Sequence, residues 1–400
     1  MKARVAVVGG GASGMMAAIW AKRMGAEVKI LERNPRVGKK ILATGNGRCN
    51  ISNIYCSREH YHGEAPNFVV PALSAFDVKR TLAFFEKLGI TPKVEESGKV
   101  FPMSDQASSV LDVLLYELQE LNIDIQCNAF VKDIKRRKGG FLLELDGGNS
   151  VSCEKLILAC GGKAMPSSGS DGNGFELARK LGHHIVDIFP ALTQLKLEGD
   201  FFKQIDGVKF VGTAEILSGG KALAADRGDI LFTNYGISGP PILQISRMAG
   251  ELLKHNQKAV LKITMFDMKK NELDDLLARR FANKPARPLD LALVGLINKR
   301  LIPVVLKQAG IRDLKLPAGK LTAQDRNKIA SILTDWRFSI TGLRSWPNAQ
   351  VTAGGVDTDE VNPYTMESKL VPGLYFCGEI LDVDGECGGF NLQWAWSSGY

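Results

Sequence analysis

ARVAVVGGGASGMMAAIWAKRMGAEVKILER, residues 3–33, decides the fold. Residues 3–8 are a short apolar run that breaks at glycine. Met15, Ala18 and Ala21 then recur at helical spacing up to Gly25, and EVKILER reads as a second strand. Strand, tight turn, helix, strand is a βαβ unit, so the class is α/β. Gly9, Gly11 and Gly14 form G-x-G-x-x-G between the first strand and its helix. The first glycine permits the turn, the second lets backbone approach a pyrophosphate, and the third lets helix pack on strand. Ala12 and Ser13 open the helix, whose free N–H groups favour phosphate. Glu32 lies 18 residues beyond Gly14, at the end of the second strand. A carboxylate there accepts hydrogen bonds from an adenosine ribose, so a dinucleotide site is expected, with Arg33 beside it.

The rest of the composition is that of an ordinary globular chain. Of 400 residues, 45% are hydrophobic and 24% charged. That length suits two or three domains. No apolar run approaches the roughly 18 residues of a membrane helix, and MKARVAVVGGG has no cleavage-type site. A cytoplasmic enzyme with no membrane partner is the expectation. The seven cysteines show no C-x-x-C spacing, which argues against a zinc ribbon or a redox-active pair. Asp382, Asp384 and Glu386 lack the later bidentate glutamate of a calcium loop, so no metal is expected.

Three further stretches select the dinucleotide. GKKILATGNGRCNISN, residues 38–53, combines flexible backbone with positive charge. Lys39 and Lys40 are placed to neutralise pyrophosphate. Thr44, Gly45, Gly47, Arg48, Cys49 and Asn50 are placed to run beside a flavin ring. LILACGG, 156–162, is a buried strand ending at Ala159, Gly161 and Gly162. GLYFCGEILDVDG, 373–385, is a strand ending at Gly378 and Glu379, where the carboxylate can accept from ribitol hydroxyls. Gly388, Gly389, Phe390, Asn391 and Leu392 follow as a glycine-rich entry into a helix. The positive end of that helix can stabilise a reduced flavin. Gly354 and Gly355 give either backbone contacts near the flavin or a sharp turn. A nicotinamide dehydrogenase needs none of this, so FAD is expected. GSDGNG, 169–174, has the wrong glycine order for a second Rossmann fingerprint. A nicotinamide donor, NAD(P)H, would enter transiently beside the flavin.

Composition changes along the chain. Residues 189–269 alternate like strands, and 270–344 read as helical, with Thr322 as an N-cap. Gly-rich turns and buried strands return at about residue 350. The expected organisation is a discontinuous nucleotide domain, 1–188 and 345–400, split by a β-rich insert and a helical insert. Residues 189–344 hold 25 Lys or Arg against 15 Asp or Glu, whereas the remainder holds 26 against 28. All positive excess therefore lies in the inserts. Lys269, Lys270, Arg279, Arg280, Lys284 and Arg287 form its densest run. Such a platform suits RNA or the phosphates of an acyl-CoA, or is simply a solvated face.

With these motifs assembled, the chain resembles a bacterial family of NAD(P)/FAD-dependent oxidoreductases. That family includes aminoacetone oxidase, a bile-acid 3-dehydro-delta4,6-reductase and a ribosomal RNA dihydrouridine synthase. Residues 38–53 carry the resemblance, with GKVFPMSDQASSVLDVLL at 98–115 and LACGGKAMPSSGSDGNGFELARKLGH at 158–183. It continues in LFTNYGISGPPILQIS at 231–246, AQVTAGGVDTDEV at 349–361 and residues 373–399. The resemblance implies a glutathione-reductase-like Rossmann FAD-binding domain, interrupted by a β-barrel-like part and a small helical part. Members differ in substrate, so the resemblance fixes cofactor better than reaction; the leading expectation is flavin-dependent reduction of a conjugated C=C bond with NAD(P)H. Reduction of uridine in ribosomal RNA and amine oxidation are the alternatives. Asn234 stands where the family usually has His, so no proton transfer is carried over to it. Tyr235 and Cys49 are the candidate proton donors. For Cys49 two readings stay open: a thiol activated by Arg48, or a small packed thiol against the ring.

Overall fold

The computed structural model describes residues 2–95 and 97–400. Strand Arg4–Val8 is followed by helix Ala12–Arg23 and strand Glu27–Leu31, as the opening stretch predicts. These join a five-stranded parallel sheet. Its order is Leu374–Phe376, Lys155–Leu158, Arg4–Val8, Glu27–Leu31, Asp124–Gln126. The strands are buried on both faces, as all-parallel sheets require: Val7, Ile30, Leu158 and Phe376 are fully buried. The register aligns Val8 with Leu31 and with Leu158, and Leu158 with Phe376. Four strands thus end at one level, and the chain leaves that edge at Gly9, Glu32, Ala159 and Cys377. In an open α/β sheet, ligands bind in the crevice beyond this edge.

The chain divides into two compact units, Met1–Pro190 with Trp346–Tyr400, and Ala191–Ser345. The second unit contains a closed barrel. Its strands, in order around it, are Leu195–Leu197, Gly236–Ser238, Lys221–Thr233, Lys209–Ser218, Val260–Thr264 and Trp336–Leu343. Phe202, Phe232, Leu261, Ile263, Trp336 and Phe338 fill its core.

Two features of this unit refine the division into β-rich and helical stretches. Helix Pro240–Lys254 lies inside the β-rich stretch and opens where Ser238-Gly239-Pro240 reads as a turn into a helix, with proline in its first turn where the missing N–H costs nothing. The barrel closes with Trp336–Leu343, which follows the helical stretch. Helices Lys270–Asn283, Leu301–Gln308 and Ala323–Thr334 supply Leu273, Leu277, Leu306, Ile329 and Leu333 to the same core as the barrel. Thr322 caps the last of these helices, its Oγ1 accepting from Asp325 N at 3.1 Å. Among the described residues, no helix is long and apolar enough to cross a membrane.

Candidate functional site

The nucleotide end is built by close approach. An added Cβ at Gly14 would sit 2.0 Å from Gly9 O, and one at Gly9 would sit 2.4 Å from Ala159 O. Glycine lets the turn, the helix start and the third strand touch here. At Gly11, between the two, a Cβ would meet nothing within 4 Å. No side chain caps helix Ala12–Arg23, so its first-turn amides are left for a ligand. Glu32 is buried; its Oε2 accepts from Gly10 N at 2.9 Å and its Oε1 from Asn34 N at 2.7 Å. The carboxylate is thereby locked at the end of its strand, with lone pairs left over.

The loop after the second strand is conformationally unusual. Gly45, Asn46, Gly47 and Cys49 all have left-handed backbone, with φ of 56°, 56°, 85° and 60°. Non-glycine residues rarely adopt it, and such runs concentrate at functional sites. Thr44 Oγ1 donates to Ile41 O at 2.6 Å. The loop's cations are engaged by groups of the protein itself. Lys40 Nζ lies 2.6 Å from Glu379 Oε2, and Lys39 donates to Ser167 O. Arg33 meets Asp171 at 2.5 Å. Arg48 pairs with Asp105 at 2.7 Å and Glu95 at 2.5 Å, and stacks 3.9 Å from the Phe101 ring centre.

The C-terminal motif closes the cradle. Glu379 Oε1 accepts from Thr352 N at 2.9 Å, in strand Val351–Val356 with Gly354 and Gly355. Thr352 Oγ1 in turn accepts from Lys163 N at 2.7 Å and Ala164 N at 3.0 Å, just after Gly161 and Gly162. An added Cβ at Gly378 would sit 2.4 Å from Ser13 Oγ. Helix Phe390–Gly399 starts after Gly388 and Gly389 and has no side-chain cap. At Gly389, with φ of 105°, a Cβ would meet Ser52 O at 2.3 Å and Asn50 Oδ1 at 2.9 Å. That Asn50 oxygen is buried and has no partner. Asn391 closes its own turn through Gly385 N and O at 2.8 and 2.7 Å, and Leu392 packs on the sheet's core.

Two uncapped helix starts, a locked ribose-type carboxylate and an orphaned acceptor beside a glycine turn fit a long dinucleotide with donors at its far end. The residues present fit FAD.

The catalytic candidates fare differently. Cys49 is fully buried, and burial pushes its thiol up to about 12, against a smaller opposing effect of the Thr44 hydroxyl. Arg48 is paired elsewhere, so the reading of Cys49 as an activated or donating thiol is corrected to a packed one. Tyr235 is half-buried in the second unit, under the Arg344 guanidinium at 4.2 Å. His60, in REHYHGEAPNF, reads from sequence as a residue that could line the site but has no partner assigned there; in the structure its ring stacks on Phe390 at 4.2 Å, and its Nδ1 lies 2.9 Å from Glu386 Oε2.

The family model described as HI0933-like protein Rossmann domain matches residues 3–400. The chain belongs to this family. It is 40% identical to the 3-dehydro-bile acid delta(4,6)-reductase of Clostridium scindens, over 99% of this chain and 97% of that one. It is 32% identical to the ribosomal RNA dihydrouridine synthase of Escherichia coli, over 98% and 95% respectively. A solved 3-ketosteroid delta1-dehydrogenase from Sterolibacterium denitrificans is similar over 99% of this chain and 97% of its own, at 13% identity and TM-score 0.48. Membership makes this chain an FAD-dependent oxidoreductase with a Rossmann-type FAD-binding domain.

Proposed function

We propose that this chain reduces a carbon–carbon double bond conjugated to a carbonyl, with NAD(P)H as electron donor. The observation that carries this reading is the complete FAD cradle in a chain 40% identical to a protein named as a delta(4,6)-reductase. When bound, FAD supplies two-electron hydride chemistry. The chain's own residues do the rest. Amides of Gly11, Ala12 and Ser13 hold pyrophosphate, and Glu32 holds the adenosine ribose. The Lys40–Glu379–Thr352 chain fixes the middle of the cradle, and the start of helix Phe390–Gly399 favours negative charge at its far end. His60, stacked on Phe390 and oriented by Glu386, is a proton source beside that helix start.

A second reading, reduction of uridine in ribosomal RNA, is supported by the 32% identity to a dihydrouridine synthase and by the basic second unit. Amine oxidation of the aminoacetone type rests on the resemblance alone.

The test is anaerobic mixing of the purified yellow protein with NADH and with NADPH, then with substrate. Bleaching by a nicotinamide, followed by reoxidation with a conjugated 3-keto steroid, is expected. Reoxidation by a uridine-containing ribosomal RNA fragment alone would favour the second reading. If neither nicotinamide bleaches the flavin but aminoacetone does, the reductase reading fails.

A further inference from the structure

The outer face of the barrel carries an open cleft of about 450 Å³, a volume in the range of ligand sites. Its walls all belong to the barrel unit. Strand Val260–Thr264 supplies Lys262, and strand Trp336–Leu343 supplies Arg337. Helix Lys270–Asn283 supplies its first residue, and helix Ala323–Thr334 supplies Ser331 and Thr334, with Asp335 just beyond. Lys262 and Arg337 stand directly opposite each other on the two paired strands. Their strand neighbours Leu261, Ile263, Trp336 and Phe338 fill the core, so both cations face outward on the same side.

Like charges so placed repel, and each is steadied by a carboxylate. Lys262 Nζ lies 2.6 Å from Glu215 Oε2, on the strand at its other side. Arg337 meets both oxygens of Asp335, through Nε at 2.6 Å and its NH2 group at 2.8 Å. Lys270 is the third cation of the cleft. It is exposed, and no carboxylate among the described residues pairs with it. The charges and donors left over define the ligand. Three cations against two carboxylates leave one positive charge uncompensated. N–H groups remain on the Arg337 fork, on the Lys262 ammonium and on Lys270. The hydroxyls add none, because Ser331 Oγ donates to Asn327 O at 2.9 Å and Thr334 Oγ1 to Ala330 O at 2.8 Å. The cleft therefore lacks an acceptor with several oxygens and a single negative charge. A phosphodiester is such a group, whereas a phosphate monoester, at about −1.5 to −2, overshoots the surplus. A lone carboxylate matches the cleft but not its setting. Residues 189–344 hold 25 Lys or Arg against 15 Asp or Glu, an excess suited to a chain of phosphates.

We propose that this cleft is a phosphodiester subsite, where the backbone of a polynucleotide crosses the outer face of the barrel unit. The identity of that polynucleotide rests on the ribosomal RNA reading above; the phosphate contact rests on the cleft alone.

The probe is a fluorescently labelled oligoadenylate of about a dozen nucleotides, which offers phosphodiesters and no uracil, titrated into oxidised, FAD-loaded protein from about 50 to 300 mM salt and read by anisotropy. Lys270→Gln breaks no ion pair. It should bind about fivefold more weakly at roughly 0.1 M salt and lower the salt slope by about 0.7, one single-strand phosphate contact. Glu215→Gln frees the Lys262 ammonium and should tighten binding, which a purely structural ion pair would not do. Lys138→Gln alters an exposed lysine of the other unit and should bind as wild type does. Wild-type affinity and slope in Lys270→Gln, or an equal loss in Lys138→Gln, overturns the subsite. So does a wild type that fails to bind below about 0.1 mM at the lowest salt. Adenosine 5′-monophosphate and coenzyme A serve as competitors. Displacement by either, at equal phosphate concentration, overturns the polynucleotide and gives the cleft to a small phosphate ligand. If Lys270→Gln weakens oligoadenylate binding but uridine-containing RNA never reoxidises the flavin, the uridine reading fails and the subsite stands.

Discussion

Lys40 and Glu379, 339 positions apart in sequence, form a 2.6 Å ion pair that ties the loop after the second strand to the motif after the last. Both side chains are mostly buried, at 25% and 20% exposure. Glu379 also takes the Thr352 amide at 2.9 Å, so one carboxylate joins three separate segments of the cradle. Lys40→Met and Glu379→Gln should each loosen FAD retention, and the double variant should be little worse than either. A double-mutant cycle on FAD dissociation should give a coupling of about 1 kcal/mol. Strict additivity would mean the pair contributes nothing to the cradle.

Glu32 has two duties, holding the glycine turn through Gly10 N and offering its remaining lone pairs to a ribose. Glu32→Ala should weaken FAD binding by about 1.5–3 kcal/mol, the range for hydrogen bonds to a charged group. The readout is FAD release on dilution, followed by fluorescence. A variant that holds FAD as tightly as wild type would remove Glu32 from the site.

Cys49 separates a packing role from a chemical one. With its thiol at about 12, it is neutral at every pH where the enzyme would be assayed. Cys49→Ala should therefore leave the pH profile of turnover unchanged between pH 6 and 9. It should lower the unfolding midpoint modestly, because a buried thiol packs like a small hydrophobe. Disappearance of a titration limb in the variant would restore a chemical role.

How much of this was legible depends on the range of the signal. The βαβ unit, the strands Lys155–Leu158 and Leu374–Phe376 and the glycine turns are written locally, in apolar runs that break at glycine, whereas the fifth strand, Asp124–Gln126, is too short and polar to read. Trp336–Leu343 alternates plainly, with Trp336, Phe338 and Ile340 buried. It was not read as a strand because it follows a stretch, 270–335, that reads as helical and is punctuated by proline, and its barrel partners are remote. The engagement of Lys40, Arg33 and Arg48 was invisible for a similar reason. A cation's partner is fixed by tertiary approach, and Glu379, Asp171 and Glu95 carry no local mark of it. Cys49 was put forward because Arg48 is its neighbour in sequence, but that guanidinium pairs with Asp105 and Glu95 and the thiol is buried.

His183 gives a pH signature. Its side chain is fully buried, Nδ1 lies 3.0 Å from Glu360 Oε2, and Nε2 lies 2.9 Å from Ser368 Oγ. Ser368 Oγ already accepts from Leu370 N and Val371 N, so its own proton points at Nε2. A second proton on the ring has no acceptor there. Burial first, opposed by Glu360, holds the imidazole below its ordinary value. The folded state therefore keeps His183 neutral while the unfolded chain takes up a proton near pH 6.5. Its contribution is present above about pH 6.5 and is lost as pH falls through that value toward the lowered folded one. His183→Gln should lower the melting temperature at pH 7.5 yet flatten its decline toward pH 5.5. An unchanged slope would show that other groups set the acid limit.

Arg279 and Arg280 are neighbours in the basic run, yet the structure gives them different work. Arg280 Nε donates to Ala292 O at 2.6 Å and its NH2 group to Val294 O at 2.5 Å, capping the end of the short helix Leu289–Ala292. A cationic fork on the last carbonyls of a helix satisfies acceptors that the helix cannot. Arg280 is thus withdrawn from the electropositive platform that the sequence suggested, while Arg279 stays exposed. Arg280→Ala should destabilise the barrel unit by about 1–2 kcal/mol, read as a lower melting temperature. Arg279→Ala should leave melting unchanged. If RNA is a ligand, Arg279→Ala should instead reduce the salt slope of its binding by about one phosphate contact. Equal melting temperatures for the two variants would put Arg280 back on the surface with its neighbour.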